Sequence, residues 1–193
     1  RVIESAYEAL KSAGFEVLIF SGEAPLSDGL ASDVCVVEGL NYRRSGNSVF
    51  ASNLTDTLME EAEKRFGSSP DVWHFHNPTL AKNVMVPSVV RELAEAGQKI
   101  VLQLHDFAED GRPGNYSNQR SYFDSELSFE STMYPVGKQI HYAAINYRDY
   151  DFLREAGISS RNLHVIPNAI EPLEVRTTPA ERPFSQKRLL ALY

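Results

Sequence analysis

The chain carries five histidines, and three of them, His74, His76 and His105, stand where apolar runs end. In Asp71-Val72-Trp73-His74-Phe75-His76-Asn77-Pro78 a period of two puts both imidazoles on one face of a strand and Trp73 with Phe75 on the other. Imidazoles in that pattern support two chemistries. The pair can ligate zinc or another divalent metal, with His105 or Asp106 supplying a further ligand from a neighbouring strand. Alternatively, the ring N–H groups donate hydrogen bonds to the hydroxyls or phosphates of a ligand. A purely structural role is the third reading, and the residues alone leave all three open. In Leu102-Gln103-Leu104-His105-Asp106-Phe107 the histidine again closes a strand, where it can transfer a proton, contact a hydroxyl, bind a metal or cap its own strand. Asp106 on its own reads as a turn former.

These side chains must be held by the elements around them, and periodicity outlines those elements. Val2, Ile3, Ala6, Tyr7, Leu10 and Ala13 share a helical face, closed by Gly14. Strands are expected at 15–20, 33–38, 71–76, 99–105, 142–146 and 163–167. Helices are expected at 54–66, 79–96 with a break near Pro87, 121–134 and 148–156, the last capped by Asn146. Residues 106–120 have no periodicity and read as a long loop, mobile without ligand, of the kind that serves a function. Residues 171–187 carry three prolines and read as a linker, and 188–193 begin a new apolar run.

Strands joined by helical crossovers must pair in parallel, and strands apolar at nearly every position need cover on both faces. The expected fold is therefore α/β, a doubly wound, Rossmann-like parallel sheet. In such sheets ligands bind outside the carboxyl ends of the strands. Those ends hold Ser21, His74, His76, His105, Asp106, Asn146 and Asn168.

Composition narrows the function classes. The chain has 193 residues, 42% hydrophobic, and its 19 Lys plus Arg against 26 Asp plus Glu give a net charge of -7. That acidity, with no basic stripe, argues against nucleic-acid binding. A single cysteine, Cys35, lies in an apolar strand and excludes a disulfide within the chain. No run approaches the roughly 20 apolar residues of a membrane span and no leader is read, so a cytoplasmic location is expected. There is no Ser nucleophile elbow, Walker loop or GxGxxG.

Taken in order, the segments resemble the N-terminal domain of retaining GT-B glycosyltransferases of the family-4 type. Residues 1–22 are similar to that family's first helix and second strand, Asp71–Pro78 to its "DVVHxHxP" segment, and Val101–Phe107 to the strand that ends in "THD". Residues 143–157 are similar to the "AVSxxxxxxLxxxG" unit, with Asn146-Tyr147 replacing Val-Ser. LHVIPNAIE at 163–171 resembles "VIPNGVD" at the domain junction, with Ala169 in place of Gly. The resemblance implies that residues 1–170 are the acceptor-side half of a GT-B fold, without its first strand and glycine-rich loop. Residues 188–193 would open a second domain that holds a nucleotide-sugar donor.

The resemblance further implies that His105 hydrogen-bonds a donor-sugar hydroxyl and that His76, Asn77, His74 and Asp106 line the substrate, with no metal and no cofactor. The acceptor would be a sugar, polysaccharide or lipid-linked molecule, and membrane association stays open. This chain alone is expected to be inactive. Two rival classes are a metal-dependent hydrolase built on His74, His76 and His105, and a non-catalytic carbohydrate-binding module.

Overall fold

Residues 2–25 and 32–168 are described by the structure, a computed structural model. Residues 171–187 and 188–193, read as linker and second-domain start, lie outside the described residues. The described residues form six parallel strands and six α-helices, in the order α1 Val2–Ser12, β1 Ile19–Ser21, β2 Val34–Val36, α2 Ser48–Phe66, β3 Trp73–His76, α3 Val86–Glu95, β4 Ile100–Leu104, α4 Pro113–Arg120, α5 Glu126–Met133, β5 Ile140–Ala144, α6 Tyr147–Glu155 and β6 Leu163–Val165. The α/β class with parallel strands is as the crossover pattern requires. The strands fall into two sheets, β1-β2 and β3-β4-β5-β6.

Register explains the core. Trp73 pairs with Ile100 and Ile100 with Ile140, so one face of the larger sheet carries Trp73, Ile100, Leu102, Leu104, Ile140, Tyr142 and Leu163. All are buried, and they pack with Leu54 and Leu58 of α2, Val89 and Leu93 of α3 and Leu153 of α6. The alternate residues, His74, Val101, Gln103, His141 and His164, occupy the opposite face by the same period of two. That face is less covered. His74 and His164 are exposed and Val101 and His141 are half-buried, although Gln103 and Ala143 are buried.

Several boundaries differ from expectation, each for a local reason. The strand expected at 15–20 shrinks to Ile19–Ser21, and that expected at 142–146 shifts to Ile140–Ala144. Helix α2 begins at Ser48, not Leu54, because the Asn47 carboxamide accepts from Phe50 N at 2.9 Å and caps it. The expected helix 79–96 forms only from Val86. Pro87 sits in its first turn, where a missing N–H costs nothing, and marks a start rather than a break.

Residues 113–120 are helical, which corrects the loop reading of 106–120. Propensity alone does not make that helix. The side chains of Asn115, Asn118 and Gln119 donate to the carbonyls of Leu80, Arg44 and Val84 at 3.0, 3.2 and 2.9 Å, so tertiary contacts hold it. The helix expected at 121–134 is confined to α5, which Ser125 caps through Ser128 N. Asn146 caps α6 as expected, accepting from Asp149 N at 2.9 Å. Cys35 is half-buried rather than buried. Its thiol lies 3.9 Å from a Glu61 carboxylate oxygen, and partial burial raises its pKa. Among the described residues no helix is long and apolar enough to cross a membrane.

Candidate functional site

The carboxyl ends of β3 and β4 meet in a small polar constellation. β3 and β4 pair with His76 opposite Gln103, which brings the residues just past each strand together. Asn77 leaves β3 with φ +52°, a left-handed conformation that asparagine tolerates better than most residues. In that conformation its Oδ1 accepts from the backbone N–H of His105 at 2.6 Å and of Asp106 at 3.2 Å, while its own N–H donates to Gln103 O at 2.8 Å. The exit of β4 is thus tied to the exit of β3 by one side chain.

The imidazoles follow from that backbone. His76 Nδ1 and His105 Nε2 lie 3.3 Å apart, with ring centroids at 5.5 Å, and the His74 ring is tilted against that of His76 with centroids 4.4 Å apart. His74 Nε2 is 3.0 Å from Gln103 Oε1, an acceptor, so that nitrogen carries the proton. Burial pushes all three imidazoles below their ordinary range, His76 to about 4 with the neighbouring rings adding to the effect. Two of them feel an opposing pull, His74 from its hydrogen bond to Gln103 and His105 from the Asp106 carboxylate. The site therefore offers neutral imidazoles, which donate one N–H and accept at the other nitrogen.

His74, His76, His105, Asn77 and Asp106 are all at the sheet edge where the alternation placed them, but they play unequal parts. His76, His105 and Asn77 form one bonded group. His74 bonds instead to Gln103, the residue opposite His76. Asp106 is largely exposed; its carboxylate meets Arg112 at 3.5 Å. The segment after it is fastened by Tyr134 Oη donating to Glu109 at 3.0 Å and Arg148 to Asp110 at 2.6 Å. For the metal reading, no group of three or more His, Cys, Asp or Glu among the described residues has the geometry to hold an ion. The paired nitrogens are turned on each other or on Gln103 instead.

Sequence reasoning passed over the segment 41–44. It forms an isolated parallel bridge, Arg43 with Asn83, to the stretch that follows Asn77. The adjacent Arg43-Arg44 was the available signal, but two charges in a segment without periodicity do not stand out. His141 and His164 were also unassigned. Their nitrogens lie 2.8 Å apart on the open sheet face, beside a groove lined by Val72, Lys99, Val101 and Lys138 at the opposite ends of the strands.

No protein-family model matches the chain, and no solved structure matches it. The chain is similar to mannosylglucosyl-3-phosphoglycerate synthase of Petrotoga mobilis (strain DSM 10674 / SJ95), 28% identical over 179 residues covering 88% of this chain and 34% of that protein. The chain thus spans about a third of the length of the curated relative it matches.

Proposed function

We propose that the chain is the acceptor-side domain of a glycosyltransferase that moves a sugar from a nucleotide-sugar donor to an acceptor hydroxyl, with retention, in a GT-B enzyme of the family-4 type. The observation that carries this reading is the neutral His76–His105–Asn77 group at the carboxyl ends of parallel strands, where α/β sheets bind ligands. The similarity to a synthase of a glycosylated phosphoglycerate supports the same reaction class and suggests a small phosphorylated glycoside as acceptor.

In this reading His105 donates an N–H to a donor-sugar hydroxyl. The bond from the anomeric carbon to the leaving phosphate breaks, the acceptor oxygen bonds that carbon, and the acceptor proton passes to the leaving phosphate. Positive character develops on the sugar ring as the bond breaks, and fixed dipoles at its hydroxyls stabilise that state without being reorganised. His76 holds the His105 ring by its Nδ1, and Asn77 holds the His105 backbone; His74 and Asp106 border the acceptor. No metal or organic cofactor is assigned.

The architecture fits a larger sheet. Trp73 N and Asn77 N donate to Lys99 O and Gln103 O of β4, so His74 and His76 turn their backbone groups to the other edge of β3, where no strand pairs among the described residues. β1 is likewise paired on one side, and the Phe20 and Trp73 rings stack at 6.0 Å between the two edges. We place a further parallel strand there, and donor binding in a second domain. The chain alone is then inactive.

The test is nucleotide-sugar turnover with UDP-, GDP- and ADP-sugars by a longer protein containing this chain, beside the chain itself. Turnover only in the longer protein is expected, and His105→Ala in it should cost roughly 10- to 1,000-fold in kcat. A wild-type rate in that variant removes His105 from the site.

A further inference from the structure

We propose that Tyr42, Arg44 and Lys82, with Arg43 beside them, form an oxyanion subsite that takes the phosphate or carboxylate of the acceptor; this rests on the acceptor-side reading above. The chain carries a net charge of -7, so carboxylates are plentiful. Most described cations lie within ion-pair distance of one, as Arg65 does of Asp33 and Arg120 of Glu126. Six do not, and three of these, Arg43, Arg44 and Lys82, belong to the two segments joined at the Arg43–Asn83 bridge. Arg43 N donates to Lys82 O at 2.9 Å and Val84 N to Arg43 O at 3.0 Å.

The backbone that carries these side chains is pinned. The buried Asn83 side chain donates to Gly39 O at 2.9 Å and Asn41 O at 2.7 Å. Asn118 Nδ2 and Tyr122 Oη donate to Arg44 O at 3.2 and 2.7 Å. An irregular surface segment thus spends four side-chain bonds on its carbonyls while its cations stay free of carboxylates. Arg43 lies flat on the Phe50 ring, 3.9 Å from its centroid, which leaves guanidinium edges for an acceptor. Lys82 Nζ donates to Tyr42 Oη at 3.0 Å, and the Arg44 side chain has no partner among the described residues.

Position ties this cluster to the chemistry. Lys82 follows Asn77 by five residues, and Asn118 and Tyr122 belong to the stretch that follows His105. Lys82 is therefore presented from the loop that follows Asn77, and Arg43 and Arg44 from the segment bridged to that loop. Three cations on an acidic chain are too few to track a nucleic-acid backbone but suit one small oxyanion, which a guanidinium and an ammonium bind by charge-assisted hydrogen bonds.

The experiment titrates the chain with 3-phosphoglycerate, glycerate, inorganic phosphate and glycerol at constant ionic strength, followed by amide chemical shifts. Shifts at Tyr42, Arg44, Lys82 and Asn83 with the anions and none with glycerol are expected; the phosphate and glycerate arms tell which oxyanion is read. The double variant Arg44→Gln/Lys82→Gln should weaken binding at least about tenfold. Lys99→Gln/Lys138→Gln removes the same charge at the opposite ends of the strands and should leave it unchanged. Equal weakening in both double variants, or none in the first, overturns the subsite. The two readings separate in the longer protein. Sugar transfer to neutral acceptors alone retains the transferase and sinks the subsite, whereas anion binding at these residues without any sugar transfer does the reverse.

Discussion

Asn77 illustrates how a single residue can tie two strand exits together. Its left-handed backbone aims one carboxamide oxygen at two N–H groups, and both belong to the residues that begin the loop after β4. Asn77→Ala loses both bonds and places a Cβ-only side chain at positive φ, which together should cost about 2–3 kcal/mol in urea unfolding. Asn77→Asp keeps an acceptor and the tolerance for that conformation, so it should retain most of the stability. Equal losses in the two variants would show that the acceptor bonds contribute nothing. The same residue decides where His105 begins, and so how its ring meets His76.

Among the elements, α1 depends most on polar contacts. None of its residues is buried, so apolar packing alone holds it weakly. Its anchor is the buried Asp33 carboxylate, which accepts from Tyr7 Oη at 2.6 Å and Lys11 Nζ at 3.1 Å and also pairs with Arg65 of α2. The Tyr7 hydrogen bond, then the Lys11 one, hold the Asp33 carboxyl below its ordinary range. A depressed carboxyl contributes stability that is present above its unfolded pKa and lost as pH falls through the folded one, so α1 should loosen in acid. Asp33→Ala should speed hydrogen exchange across residues 2–12 by about 2 kcal/mol of local opening free energy, with exchange in β3–β5 unchanged. Faster exchange throughout would make Asp33 a global rather than a local anchor.

For the whole molecule, the three imidazoles at the carboxyl ends of β3 and β4 set the acid limit. His74, His76 and His105 titrate lower folded than unfolded, the last two beside each other, so the unfolded chain binds more protons below about pH 6.5. Stability should then rise with pH from about 4 to about 6.5 and be lost on acidification through that window. His76→Phe, compared with wild type in thermal unfolding at each pH, should flatten the slope there while the carboxylate losses at lower pH stay. An unchanged slope would mean that His76 titrates alike in the folded and unfolded chain. Neutral imidazoles at working pH also suit a site that donates hydrogen bonds to hydroxyls and has no need of a cationic acid.

The sequence by itself determined the fold class and the end of the sheet at which the histidines stand, because both rest on local periods: alternation along a strand, 3.6 along a helix, and polar residues closing apolar runs. It also determined that His74 and His76 share a face and that Asn146 caps α6, since each follows from spacing within a few residues. Only the tertiary structure decided that His76 bonds His105, that His74 turns to Gln103 instead, and that Asn77 joins two strands. Those contacts span about 28 residues of chain and depend on β3–β4 register, which no local pattern encodes. The helix at Pro113–Arg120 was illegible for the same reason. Its residues form a poor amphipathic pattern, and it stands because Leu80, Val84 and Arg44 offer carbonyls that lie 35 or more positions away in the chain.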